Sequence, residues 1–267
     1  MRLNFGMIIL FFLTTGFLTK DNGYRKVVNE SYFEGERLDY RVHLGFLTGA
    51  HASIKISKTI YQINGRPCFK VNVFGKTAGM IDVFYKVRDN WGTYIDTTAI
   101  VPQRAYRFMK EGNYRKNEII YFNHLKHAAT VARLDDKTKK LKKRLNFTVP
   151  NNVQDIVSGY YYLRTMDFTK FKKGQIIVID GFFDEEDYKL KLEYLGTETV
   201  DTKFGDLEAY VLAPILPKNS LFEGDTPIKM WLSKDKNKIP LKIKAQMNVG
   251  AVVMDLKNYK NLRTPLK

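Results

Sequence analysis

The chain has 267 residues, a formal net charge of +16 and one cysteine, Cys68. That length supports a sizeable core without covalent staples, and a lone cysteine excludes an internal disulfide framework. A charge this basic would point to nucleic acid in a cytosolic protein, but the first residues read as an export signal.

Residues 1–6 carry Arg2, and residues 7–18 (MIILFFLTTGFL) form an apolar run of signal-peptide length, too short for a good membrane span. The expected division is a signal peptide over 1–20, cleaved near Thr15, Gly16 or Phe17, and one β-rich domain over 21–267. No cysteine follows the run, so a lipoprotein signal is not expected. An exported protein seldom meets nucleic acid. Its natural polyanions are lipid headgroups, lipopolysaccharide and acidic glycans.

Strand signals dominate the mature chain. LDYRVHLGF precedes Gly49 and AHASIKISKTIYQI, in which Ile54 and Ile56 oppose Lys55 and Ser57. Asn64-Gly65 is a turn, and CFKVNVFGKT follows Pro67. Cys68 reads as a small, semi-buried residue, since no His or paired Cys neighbours it. Gly79 is expected to open a strand, MIDVFYKVR, followed by WGTYIDT, by QRAYRFMKEG after Pro102, and by NEIIYFNH and KHAATVAR. Asp135-Asp136 begins a tight turn. In KKLKKRLNFTV, Leu141, Leu145, Phe147 and Val149 oppose Lys140, Lys142 and Arg144.

The one convincing helix spans residues 153–168, VQDIVSGYYYLRTMDF. Pro150 stops the preceding strand, Asn151 or Asn152 is placed to cap, and Asp155 puts negative charge in the first turn. Val153, Ile156, Val157, Tyr160 and Leu163 recur at helical spacing. Strands resume with QIIVIDGFF, an acidic tip at residues 184–187 (DEED), YKLKLEYLG and GDLEAYVLAP. PIKMWLS, KIPLKIKAQMNV and AVVMDLKNY finish the chain. About a dozen or more short strands, each apolar on one side and Lys-rich on the other, imply antiparallel sheet with a wet outer face. The predicted fold is mainly β: a strongly curved or half-open barrel-like sheet with one central α-helix on its concave side. Trp91, Asp96 and Pro102 are echoed by Trp231, Asp235 and Pro240. The echo suggests two similar halves, 30–149 and 174–260.

The combination of export signal, LDYRVHLGFLTGAHASI, VQDIVSGYYYLRT, GDLEAYVLAP, IKMWLSKDKNKIPLKIK and VGAVVMDLKNY resembles DUF3108, exported bacterial proteins of unknown function. The resemblance implies a periplasmic or envelope component and carries no established catalytic residues. Trp231, Asp235 and Ile239-Pro240-Leu241 also resemble, over one short hairpin, the LolA/RseB-type periplasmic lipoprotein carriers, half-open barrels that hold acyl chains.

Specific chemistry is harder to find. The acidic tip lacks the glycine and ligand spacing of a calcium loop and reads as a solvated turn. His124 and His127 fall on opposite faces of a strand, not on one metal. Ser158 lies outside any nucleophile elbow and reads as a packing residue. No catalytic residue, metal site or cofactor is predicted. Tyr160, Tyr161, Tyr162, Trp91 and Trp231 are candidates to line an apolar cavity with polar tips. Arg164, on so apolar a helix, needs a buried salt bridge or an anionic ligand. The basic run from Lys137 to Arg144 suits an anionic surface. The expected function is therefore non-catalytic binding of a lipid, acyl chain or anionic glycolipid in a concave β surface, with peripheral membrane contact. Alternatives are a structural or assembly partner of an envelope protein complex and, last, a hydrolase of envelope glycans or lipids.

Overall fold

A computed structural model describes residues 23–216, 226–248 and 250–267. The proposed signal peptide lies outside the described residues. The strands are β1 (Arg37–Leu44), β2 (Leu47–Ile63), β3 (Arg66–Thr77), β4 (Arg88–Asp96), β5 (Pro102–Glu111), β6 (Tyr114–Asn123), β7 (Ala128–Leu134) and β8 (Leu141–Thr148). After helix α2 (Ile156–Arg164) come β9 (Ile176–Phe183), β10 (Glu186–Thr202), β11 (Gly205–Pro214), β12 (Ile228–Ser233), β13 (Pro240–Met247) and β14 (Gly250–Lys260). A short helix, α1 (Gly79–Phe84), separates β3 from β4.

All fourteen strands form one antiparallel sheet, ordered β8 to β1, then β14 back to β9. Except for β8 and β9, each strand pairs with its neighbours in sequence, and the first strand closes on the last: Leu38 lies opposite Tyr259, and Leu44 opposite Val252. The two edges are β8 and β9, which α2 and its flanking coil connect. The sheet does not close there as a barrel. Instead, the coil before the helix lies in the gap. Gln154 donates from its backbone to Asp180 O at 2.9 Å and accepts from Phe182 N at 2.8 Å, while Val149 N reaches His127 O at 2.8 Å. The β9–β10 tip completes the latch, with Arg133 on Glu185, and Arg107 and Lys116 on Asp184. Half of the acidic tip, Asp184 and Glu185, is thus an ion-paired clasp, because the gap brings the basic ends of β5–β7 against it, while Glu186 and Asp187 are exposed to solvent as expected.

The helix is shorter than its periodicity suggests. Asp155 is the N-cap: its side chain accepts from Val157 N at 2.8 Å and Ser158 N at 3.2 Å, and the Ser158 hydroxyl accepts from Asp155 N at 3.0 Å. This reciprocal capping box displaces Asn151 and Asn152 as caps and gives Ser158 its role. After Arg164 the chain leaves the helix and makes only one 3₁₀ turn, Phe168–Lys170. Val157, Tyr161 and Leu163 are buried, whereas Ile156 is exposed. Val157 and Tyr161 pack with Tyr32, Ile56, Val71 and Ile95, and Leu163 and Phe168 pack with Ile177, Tyr194 and Leu212. The helix therefore cements both arms of the sheet.

Two local readings are corrected. Residues 79–84 are helical, because Gly79 turns at φ 57° and Asp82 folds back to accept from the Thr77 hydroxyl at 2.6 Å and from Arg88. His124 and His127 do not lie on a strand. His124 opens a 3₁₀ turn, capped by Asn123, and His127 ends it at φ 50°.

Candidate functional site

Around Arg164 the space between helix and sheet is filled, whereas at the start of α2 an apolar cavity of about 250 Å³ lies between Ile156 and Gly159 and the β9–β10 residues Ile179, Tyr188 and Leu190. Arg164 is fully buried and forms a two-pronged ion pair with Glu36, Nη1 to Oε1 and Nη2 to Oε2, both at 2.6 Å. Its Nε donates to Asn237 O at 2.8 Å, and Nη2 also reaches Ser31 O at 3.2 Å. Tyr32 and Tyr161 pack edge-to-face at 4.6 Å, and Tyr160 touches Tyr161. The structure thus gathers Tyr160, Tyr161 and Arg164 into one packed cluster. The half-buried Tyr162 lies beneath Arg25, 4.0 Å from its guanidinium. Trp91 packs on the edge of the same core cluster, near the start of the helix, and Trp231 belongs to another. Trp91 stacks on Phe183 beside the buried Arg107–Glu118 pair, where only about 20 Å³ of space remains. Trp231 donates to Glu198 at 2.7 Å within a different core cluster.

The motif WLSKDKNKIPLKIK serves this packing. Asp235 accepts from the Ser233 hydroxyl and from Asn237 N and Lys238 N, all within 3.1 Å. The bend it fixes aims Asn237 O at Arg164. Asp96 does the same in the echoing hairpin, accepting from Thr98 N and Ala99 N, and Gln154 from the helix entry donates to Ile100 O at 2.8 Å. Both Asp-Pro hairpins are therefore docking points for the helical segment.

A concavity of about 720 Å³ lies on the opposite face of the sheet, across β1–β4. Strand register builds it in rows: Arg37 opposite Lys55; Asp39, Ser53, Phe74 and Asn90 side by side; then His51, Lys76 and Arg88. The residues between these rows, Leu38, Ile54, Val73 and Trp91, point to the core side. Phe74 is an apolar floor, exposed where its neighbours are polar, and the Lys55 ammonium lies 5.3 Å from its ring centre. Arg37 is paired with Asp39 at 2.9 Å and Arg88 with Asp82 at 2.6 Å. Lys55, Lys76 and Lys257 also line the groove and form no ion pair among the described residues. An apolar floor rimmed by unpaired cations suits a ligand with a greasy part and an anionic part. The sequence reading missed it because Phe74 looks like any strand residue until register sets it beside Lys55 of β2, with Lys76 two residues along its own strand.

Among the described residues, no group of three His, Cys, Asp or Glu side chains is placed to hold a metal, and no helix is long and apolar enough to cross a membrane. Cys68 is buried, its Sγ against Arg66 O at 3.3 Å, and burial pushes its thiol up to about 12. It is a packed residue, not a nucleophile.

No curated protein matches the chain in sequence. A beta-barrel-like protein of the domain of unknown function DUF1849 from Brucella abortus superposes with a TM-score of 0.54 at 11% identity, over 88% of this chain and 99% of that one. Weaker likenesses are to a protein from Bacteroides fragilis described as exported, with a YmcC-like fold (TM-score 0.35, 9% identity, 89% and 100% covered), and to one from Parabacteroides distasonis described as a lipoprotein (0.33, 11%, 88% and 99%). Across residues 39–257 the sequence matches the model of DUF3108, a protein family of unknown function, and the chain belongs to that family.

Proposed function

We propose that this protein is a non-catalytic, exported component of the cell envelope that binds an anionic amphiphile, such as a phospholipid or glycolipid, in the groove across β1–β4. The observation that carries the reading is the register-built row of Phe74 flanked by Lys55 and Lys76. The leader-like residues 7–18 support export. The groove's volume falls in the usual range for small-molecule sites, roughly 300–1,000 Å³. In this reading Tyr160, Tyr161, Arg164 and Trp231 are packing residues that hold the sheet's curvature, and Trp91 packs beneath the clasp.

The test is calorimetric titration with lysophosphatidylglycerol below its micelle concentration. Binding to the wild type and at least tenfold weaker binding to Lys55→Glu/Lys76→Glu support the reading. Equal affinity in both, or none in the wild type, removes it. Lipid extraction from protein purified without detergent should find anionic lipid.

A further inference from the structure

One end of the molecule is built differently from the rest. Alternation of strand direction brings the β1–β2, β3–β4, β5–β6, β7–β8, β9–β10 and β13–β14 connections together there. At this end the large apolar side chains face outward. Phe46, at the β1–β2 tip, is 99% exposed, and Val83 and Phe84 of α1 are 81% and 79% exposed. Leu47, Met80 and Tyr85 are exposed beside them, and α1 buries none of its residues. The two segments belong to one patch: Ala78 N donates to Gly49 O at 2.9 Å, and Ile81 lies against Gly49. Soluble proteins rarely leave so many large apolar side chains together without a partner.

Charge identifies the partner. The acids Asp82, Asp135, Asp184 and Glu185 are neutralised by Arg88, Lys142, Lys116 and Arg133. The cations left at this end include Lys76, Lys86, Arg115, Lys137, Lys140 and Lys143. With the neighbouring lysines they outnumber the remaining acids Asp89, Glu111, Asp136, Glu186 and Asp187. Apolar tips within a basic collar match the layering of an anionic bilayer, acyl chains below and phosphates at the collar. We propose that the β1–β2 tip and α1 insert into the surface of an anionic phospholipid membrane. The groove then opens at the lipid surface, because its last row, His51, Lys76 and Arg88, abuts α1 through the Arg88–Asp82 pair. This extends the binding reading by naming where the ligand comes from, and it rests on that reading only for the groove.

The experiment uses the full chain with an environment-sensitive nitrobenzoxadiazole label. Phe84→Cys places the label on the patch, and Lys236→Cys places it at the opposite end, in the loop between β12 and β13. The native Cys68 is buried and stays unlabelled. With phosphatidylglycerol/phosphatidylethanolamine vesicles, the label at position 84 should shift to the blue and brighten at least twofold, and that at 236 should not. Adding Phe46→Ser to the Phe84→Cys protein should weaken the response about tenfold, the loss expected when one large apolar side chain no longer enters the bilayer. Its melting temperature, unchanged, shows that the fold persists. A silent label at 84, an equal response at 236, or an equal response to phosphatidylcholine vesicles overturns the proposal; the first would assign the patch to a protein partner. The groove titration uses no bilayer, so the two readings fail separately.

Discussion

Replacing Glu36 with alanine tests whether the helix is locked by its ion pair. The substitution removes both 2.6 Å bonds to Arg164 and leaves a guanidinium that is fully buried, with no counter-ion, held by Asn237 O, Ser31 O and the rings of Tyr32, Tyr160 and Tyr161. Burial alone would disfavour the charged guanidinium; the Glu36 carboxylate, with Tyr160 and Tyr161 beside it, more than offsets this. Breaking one side of a buried pair costs about 3–5 kcal/mol, because the other charge stays without its counter-ion. For a domain of this size that lowers the melting temperature by roughly 6–20 °C. Urea denaturation, with calorimetry alongside, measures it. Glu36→Leu/Arg164→Met removes both charges and should recover much of the loss, since apolar replacement of a whole buried pair is often neutral. A Glu36→Ala cost below about 1 kcal/mol, the level of an exposed pair, would refute the argument.

Three further outcomes are expected from the packing. Asp155→Ala loses the capping bonds to Val157 N and Ser158 N and the 2.8 Å bond from the Thr93 hydroxyl, and should cost about 1–2 kcal/mol in denaturant midpoints; Asp155→Asn, which keeps an acceptor, should cost less. Burial holds the His124 imidazole below its usual range, with Nε2 2.7 Å from Pro102 O. The unfolded chain takes up a proton near pH 6.5 that the folded state resists, so stability should decline as the pH falls from about 7 towards 5. His124→Gln should flatten that slope; an unchanged slope would assign it to other groups. Finally, Cys68 should ignore a thiol reagent at pH 8 in native protein and react at once in guanidinium, whereas rapid native labelling would contradict its burial.

Much of this fold was legible in the chain. Alternation in KKLKKRLNFTV and LKIKAQMN declares wet antiparallel strands, and Arg164 among tyrosines declares the need for a buried counter-charge. The identity of that counter-charge was not legible. Glu36 precedes β1 and meets Arg164 only because the N-terminal segment folds across the helix, with Val27 N on Thr98 O and Arg25 on Ala99 O and Ile100 O. Periodicity overstates the helix because Met166 and Phe168 continue an apolar pattern after the backbone has left the helix at Arg164. The Met80–Phe84 stretch read as strand because β-branched and aromatic residues fit either state, and Gly79 with Asp82 decided between them. Candidate sites suffered most. Aromatic residues near a helix look alike in sequence whether they line a cavity or fill one, and the groove exists only through the pairing of four strands.

The most direct measurement is photo-crosslinking with a lysophosphatidylglycerol that carries a photoreactive acyl chain, mapped by peptide mass spectrometry. Adducts on β2 and β3, around Ser53 and Phe74, are the result the groove predicts. Adducts concentrated on Tyr160, Tyr161 or Tyr162 would place the ligand between helix and sheet instead and contradict it.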